Sequence, residues 1–337
     1  MLFEPVVSVI ITTYMGNYKL VRAVESILNQ TYRNIELIIV DDNGVGTAKQ
    51  IETESVLEKY IESGRIKYIK HEKNLNGAVA RNTGISNATG EYICFLDDDD
   101  IYHKSRIEKC INAVGIDPKK INAVYTGVIK IADGLLLEKF EPTIEGNFKE
   151  SILESHASLG SGSNIFIKKD IIKLLNGFDT SFKRYQDIEF MVRASDYIYI
   201  YPIKETLIIK DNSNVRFMPN YEGLKNAQIH FFEKFEKDIM HEKNAQTIYL
   251  NKCSELLVYA YKFCSSTEIL DAWDNFNRYI PNASVLLKMK NIVKGNILKC
   301  SHYKLYSAYQ NIKKNRVNTK IYNSLSTTEK EFIKENS

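Results

Sequence analysis

Two short runs, VVSVII (Val6 to Ile11) and IELIIV (Ile35 to Val40), are almost wholly apolar and of strand length, with helix-spaced apolar residues between them. A strand with one wet face alternates apolar and polar residues, so a nearly continuous apolar run belongs to a strand covered on both faces. Between the runs, Leu20, Val21, Val24, Ile27 and Leu28 recur at helical spacing, and Asn17 stands where a helix cap is needed. Strand, helix and strand in that order predict a βαβ unit, a sheet that is at least partly parallel, and a right-handed crossover.

The pattern continues along the first two thirds of the chain. It predicts helices over 48–62 and 78–87, strands over 66–70 and 92–96, and a further helix marked by Ile107, Ile111 and Val114. Strands are also expected at 124–131, 164–168 and 207–210. Alternation of this kind defines an α/β domain rather than an all-β one. From about Tyr221 strand-like runs vanish, and helix-spaced stretches such as 256–263 and 285–298 take over. At 337 residues the chain exceeds the roughly 250 at which single cores usually stop growing. The expected organisation is an α/β domain over 1–220 and a helical, basic C-terminal region over 221–337.

Charge divides along the same line. Residues 1–222 hold 27 Lys and Arg against 31 Asp and Glu, and residues 223–337 hold 18 against 11. Between Asn275 and Thr328 there are ten basic residues and no acidic one. Lys288, Lys290, Lys294, Lys299, Lys304, Lys313, Lys314 and Arg316 are interleaved there with Tyr303, Tyr306, Tyr309 and aliphatic residues. Such a segment suits an anionic membrane surface or a polyanionic acceptor; the alternatives are a solvated face of a helical subdomain and an interface with a second copy of the chain.

No apolar run approaches the roughly 18 residues of a membrane-spanning helix. The N-terminal MLFEPVVSVII lacks the basic start of a signal peptide, so the expected location is cytoplasmic, peripheral at the inner face of the membrane if the basic region binds lipid. The five cysteines are widely spaced with no C-x-x-C pair, and read as free thiols that serve packing.

Two acidic clusters follow predicted strands: Asp41 and Asp42 after IELIIV, and Asp97 to Asp100 after YICFL. In open α/β sheets ligands bind beyond the carboxyl ends of the strands, so both clusters fall on the ligand-binding edge. Strand alternation places Asp97 and Asp99 on one side and Asp98 on the other. Carboxylates so spaced suit a divalent cation whose remaining ligands are water and phosphate oxygens. A solvated acidic loop capping the next helix is the simpler alternative.

Five segments in order carry a resemblance: VSVIITTY (7–14), SILNQTYRNIELIIVDDN (26–43), NLNGAVARNTGISNATGEYICFLDDDD (74–100), GSGSNIFIKKDIIKLLNGFDTSF (160–182) and YQDIEFMVR (185–193). Together they resemble the inverting glycosyltransferases of family 2, over residues 6 to about 215. That resemblance implies the GT-A fold, a Rossmann-like, mostly parallel sheet flanked by helices, here with an α-helical C-terminal extension. It implies a nucleotide-sugar donor, a UDP-sugar first, and a glycan, lipid-linked or protein-linked acceptor. It also implies a divalent cation, Mn2+ or Mg2+; nucleic acid is not among the expected partners.

Residue by residue, the resemblance places Thr12, Tyr14 and Asp42 on the nucleoside, with Asp42 reading the uracil edge, and puts Asn76 and Arg81 along the nucleotide pocket. Its D-x-D motif falls on Asp97, Asp98 and Asp99, with Asp97 at the ribose or metal and Asp99 ligating the cation between the phosphates. Its catalytic base falls on Asp187. Tyr14 as a core aromatic, Arg81 as a surface residue and Asp187 as a helix cap are the structural alternatives. His156 reads as structural.

Two positions depart from the family pattern. Lys210, before Asp211, Asn212 and Ser213, stands where a histidine often helps hold metal or diphosphate; a charged lysine cannot ligate a cation but can neutralise a phosphate directly. The loop after Asp42 reads NGVGT where G-S-T-D is commoner. Two other classes remain open for the chain: a catalytically silent polyanion-binding module that keeps the fold, and a nucleotidyltransferase. The second usually shows a Gly-rich, basic loop after the first strand, which TTYMGNYK is not.

Overall fold

The computed structural model describes residues 4–16, 18–132, 135–154, 159–213, 220–281 and 318–336. In chain order the elements begin with β1 (Val7–Thr13), α1 (Lys19–Leu28), β2 (Ile35–Asp41), α2 (Ala48–Glu62), β3 (Lys67–Lys70), α3 (Gly77–Asn87) and β4 (Tyr92–Asp97). There follow β5 (Ile101–Tyr102), α4 (Arg106–Ile116), β6 (Ala123–Ala132), β7 (Leu135–Phe140), α5 (Lys149–Glu154), β8 (Phe166–Lys168), α6 (Lys169–Leu174), α7 (Gln186–Ala194) and β9 (Ile200–Asp211). The chain continues through α8 (Tyr221–His241), α9 (Ala245–Phe263) and α10 (Ser266–Tyr279) to α11 (Thr327–Asn336).

The strands form one mixed sheet in the order β3-β2-β1-β4-β8-β6-β9-β5, with β7 on the far side of β6. The stretch β3-β2-β1-β4 is parallel throughout, as the two apolar runs require. Val7, Val9, Ile10, Ile11, Ile38, Ile39 and Val40 are all fully buried, and each aliphatic side chain so covered contributes about 2 kcal/mol. One face of β1 is packed by the apolar stripe Leu20, Ala23, Val24 and Ile27 of α1. On the other, Gly84 of α3 sits so close to Ile10 that a Cβ there would lie 2.4 Å from Ile10 Cγ2. A glycine is needed for that approach.

The element boundaries differ from expectation by a residue or two, except that β9 is much longer than 207–210 and the short β5 and β7 carry no strand signal of their own. Asn17, expected to cap α1, lies outside the described residues, and α1 begins after Tyr18 without a side-chain cap. His156, Cys300, the stretch 285–298 and the basic residues Lys288 to Arg316 also lie outside them. The four described cysteines, Cys94, Cys110, Cys253 and Cys264, are free thiols. Among the described residues no helix is long and apolar enough to cross a membrane.

Two compact units emerge, each built from more than one stretch of the chain. The first comprises residues 4–149, 159–213 and 318–336, and the second residues 150–154 and 220–281. In the first, α11 returns to the sheet: Leu325 and Phe332 are buried in one cluster with Ile101, Ile129, Ile131, Leu136 and Ile209. Glu329 accepts from Lys139 at 3.0 Å and from Thr206. In the second, α8, α9 and α10 pack through Phe231, Phe232, Phe235, Tyr249 and Tyr279, and a Ser265–Glu268 capping box starts α10.

Candidate active site

Parallel pairing sets Thr13 beside Asp41 and Thr12 beside Asp97, so both acidic clusters lie at one edge of the sheet. The strand β4 ends at Asp97, and a turn closed by the Asp100 amide donating to the Asp97 carbonyl at 3.1 Å reverses the chain. The alternation expected across Asp97, Asp98 and Asp99 therefore stops at Asp97. Asp98 accepts from Thr13 Oγ1 at 2.6 Å. Asp100 turns inward, fully buried, and its Oδ2 accepts from Ser163 Oγ at 2.6 Å and Ser161 Oγ at 3.0 Å. Its Oδ1 has no hydrogen-bond partner among the described residues.

Two cations meet this turn. Arg81, carried toward the sheet edge by the close packing at Gly84, donates to Asp97 Oδ1 at 3.1 Å and to Gln186 Oε1 at 2.8 Å. Lys210 on β9 places its ammonium 3.6 Å from Asp97 Oδ2, 3.8 Å from Asp100 Oδ2 and 3.5 Å from Ser161 Oγ. Burial favours the neutral acid at Asp97, but Lys210 and Arg81 outweigh it and hold that carboxyl below the usual range. Lys210 is held above the ordinary lysine value, chiefly by Asp100 against the cost of burial, with Asp97, Asp99 and Asp187 adding to it. Burial pushes the Asp100 carboxyl up, with Lys210 opposing. Asp99 is pushed up to about 6 by burial and by the charges of Asp97 and Asp98.

Asp187 lies in the first turn of α7, whose N-cap, Tyr185, has φ +61° and makes no side-chain cap bond. The turn Gly162–Asn164 passes beside it: a Cβ on Gly162 would be 3.1 Å from Asp187 Oδ2. Gln186 fixes the helix start, since its amide donates to the Phe182 carbonyl at 3.0 Å while its oxygen holds Arg81. Asp97, Arg81, Gln186 and Asp187 are thus linked in one chain of contacts across the cleft.

The nucleoside residues expected from the sequence divide into two groups. Tyr14 is 43% exposed beyond the end of β1, so it is not a core aromatic. Thr12 is half-buried on β1 beside Asp97. Asp42, by contrast, is buried and engaged: its carboxylate contacts His71 Nδ1 at 2.7 Å and accepts from Asn74 Nδ2 at 2.8 Å, Leu75 N at 2.8 Å and Asn76 N at 3.0 Å. A carboxylate accepts about four hydrogen bonds, so a uracil edge would have to displace one of these. The Asn76 side chain likewise serves the fold, accepting from Ala78 N and Val79 N at the start of α3. Both residues shape the loop 71–76 that borders the cleft.

Asp100, Ser161, Ser163 and Gln186 were not singled out by sequence reasoning. The run of four aspartates was the available signal for Asp100; the serines carry none, because only folding brings them under the turn.

Among the described residues no three His, Cys, Asp or Glu side chains form a ready cage for a metal. Asp97 has both oxygens turned to cations, whereas no hydrogen bond or ion pair engages Asp99 among the described residues. One free carboxylate with water and phosphate oxygens is a donor set that Mg2+ or Mn2+ accepts, so the site fits a divalent cation on Asp99.

Comparison with known proteins agrees with this architecture. Residues 8–174 match the family model "Glycosyl transferase family 2". The amylovoran biosynthesis glycosyltransferase AmsB of Erwinia amylovora is 32% identical over 196 residues, 56% of this chain and 63% of that protein. A glycosyltransferase of Methanocaldococcus jannaschii is 31% identical over 216 residues, 61% of this chain and 70% of its own. The match therefore spans a little under two thirds of AmsB and somewhat more of the archaeal protein. Among solved structures, S. aureus TarS 1-349 in complex with UDP-GlcNAc superposes with a TM-score of 0.57 at 15% identity, covering 89% of this chain and 92% of that one. The Pyrobaculum calidifontis mannosyltransferase PcManGT, with GDP-Man and Mn2+, gives 0.51 at 16%, covering 90% and 89%. The chain belongs to glycosyltransferase family 2, and its first unit carries the GT-A fold.

Proposed function

We propose that this protein is an inverting glycosyltransferase that moves a sugar from a nucleoside diphosphate donor, UDP first among the candidates, to a hydroxyl of a glycan, glycolipid or glycoprotein acceptor. The observation that carries this reading is Asp187, set in the first turn of α7 and joined through Gln186 and Arg81 to Asp97 at the end of β4. An acceptor hydroxyl gives its proton to Asp187 as its oxygen bonds to the anomeric carbon. The bond from that carbon to the diphosphate oxygen breaks on the opposite face, its electron pair leaves with the diphosphate, and configuration inverts.

The carboxylates Asp97, Asp98, Asp99, Asp100 and Asp187 outnumber the cations Arg81 and Lys210 that meet the acidic turn. A divalent cation held on Asp99 would supply positive charge for the diphosphate. Arg81 holds Asp97 and the start of α7 at fixed separation, and the Gly162 turn leaves the Asp187 carboxyl uncrowded.

AmsB acts in amylovoran biosynthesis by its name, which makes a polysaccharide acceptor the first to try. Because the two solved neighbours hold different donors, UDP-GlcNAc and GDP-Man, the test begins with both nucleotides. Thermal unfolding is followed with millimolar UDP or GDP, with and without Mn2+, on wild type and Asp99→Ala. A ligand at 100 times its Kd adds about 2.7 kcal/mol, which raises Tm by several degrees. A shift that Mn2+ enlarges in wild type and not in Asp99→Ala supports the donor site; no shift with either nucleotide or with dTDP ends the reading.

A further inference from the structure

We propose that His71 is the positioning residue for the nucleoside end of the donor site, locking the loops after β2 and β3 to α3 before a nucleotide arrives. The inference rests on the donor-site reading above and adds which side chain sets the shape of that end.

Three segments cross at His71. Its amide donates to the Asp41 carbonyl at 2.9 Å and its carbonyl accepts from Val45 N at 3.0 Å, so its backbone joins the end of β2 to the loop that follows. The two loops also meet backbone to backbone. Gly44, at φ +90°, sits so close that a Cβ there would lie 3.3 Å from Lys73 Cα and 3.4 Å from the Glu72 carbonyl oxygen. The imidazole reaches further: it is buried, with Nδ1 2.7 Å from Asp42 Oδ1 and Nε2 2.9 Å from Thr83 Oγ1 on α3.

The chemistry of the two partners orients the ring. An ionised carboxylate only accepts, so Nδ1 carries the hydrogen and donates it to Asp42, and in the neutral ring Nε2 accepts from the Thr83 hydroxyl. The bond to Asp42 is charge-assisted and the stronger of the two. Asp42 passes the constraint on, since Oδ1 also accepts from Leu75 N, and Oδ2 accepts from Asn74 Nδ2 and Asn76 N. Asn76 in turn caps α3 through Ala78 N and Val79 N. The loop 71–76 is thereby closed into a circuit of bonds that leaves α3 at Thr83 and returns to it at Asn76. A loop held beforehand in its binding shape avoids the ordering cost that binding otherwise carries.

The two ring nitrogens can be tested separately, because the Asn amide nitrogen falls where Nδ1 was and the Gln amide nitrogen where Nε2 was. The measurement is UDP affinity by calorimetry with saturating Mn2+, on wild type, His71→Asn, His71→Gln and Thr83→Val. His71→Gln, which releases Asp42, is expected to bind at least about 30-fold more weakly than wild type. His71→Asn and Thr83→Val each lose only the bond between residues 71 and 83, and both are expected to bind about three- to fivefold more weakly. A role confined to folding would lower Tm in these variants and leave the affinity of the folded protein unchanged. His71→Gln within about threefold of wild type, or His71→Asn no tighter than His71→Gln, overturns the proposal and leaves the donor site standing. No binding of UDP, GDP or dTDP to wild type overturns both. Should His71→Gln fail to fold, His71→Asn and Thr83→Val decide, since wild-type affinity in both overturns the proposal.

Discussion

Arg81 donates to Gln186 Oε1 at 2.8 Å, and Gln186 is the residue before Asp187. A single guanidinium therefore ties the acidic turn after β4 to the helix that carries the proposed base. Its reach depends on the close packing of α3 against β1 at Gly84, one helical turn further along.

Arg81→Met should keep the fold and disconnect the two halves of the site. Removing both hydrogen bonds frees the start of α7 and strips a cation from Asp97, and kcat is expected to fall about 10- to 100-fold. Arg81→Lys should not rescue it, because one ammonium cannot span Asp97 and Gln186. Steady-state kinetics of both variants, with far-UV circular dichroism to confirm folding, make the comparison; a Lys variant equal to wild type would reduce Arg81 to a point charge.

Asp187→Ala should lower turnover by about two to four powers of ten and leave UDP affinity within a fewfold of wild type. Asp187 is not the N-cap of α7, which is Tyr185 and makes no side-chain cap bond, so its loss should hardly disturb folding. Transfer within tenfold of wild type would remove Asp187 from the role of base.

The Asp99 carboxyl, pushed up to about 6, makes stability fall with rising pH. Its folded value lies above the ordinary value near 4, so the neutral acid contributes stability below that value and the contribution is lost as pH rises through about 6. At pH 7.5 the ionised group costs on the order of 2 kcal/mol in metal-free protein. Asp99→Asn is therefore expected to raise Tm in chelator by a few degrees at pH 7.5 and by much less at pH 5, while losing the stabilisation that Mn2+ gives with UDP. Equal shifts at the two pH values would show that Asp99 titrates like an exposed carboxylate.

Asp42→Asn should act on the loop and not on the chemistry. The new amide group would face donors where an oxygen now accepts, leaving an amide hydrogen of the chain unpaired at a cost of about 2 kcal/mol. Urea unfolding should show a lower midpoint, and kinetics should show donor KM raised with kcat nearly unchanged. A variant as stable as wild type would mean that the loop 71–76 does not depend on Asp42.

Legibility followed the range of the interaction. The strands β1, β2 and β4 and the placing of Asp41 and Asp97 at one sheet edge could be read directly, because unbroken apolar runs and the end of a strand are local signals. The burial of Asp100 over Ser161 and Ser163 could not, since it joins residues some sixty positions apart through a turn whose geometry the alternation rule does not cover. The same holds for Asp42: its sequence position fits a ligand contact, yet the loop 71–76 supplies four donors first. The return of α11 was also hidden. Its apolar residues Leu325, Phe332 and Ile333 are few, and what decides their place is a gap between β5, β6, β7 and β9 that exists only after the sheet has formed.

That late helix makes completion of the catalytic unit a matter of timing during synthesis. The strands β1 to β9 are made well before Phe332, so the cluster around Ile101 and Ile209 gains that side chain only late in synthesis. More than a hundred residues separate the end of β9 from Phe332, so the nascent chain makes the whole sheet before the last apolar side chain of that cluster exists.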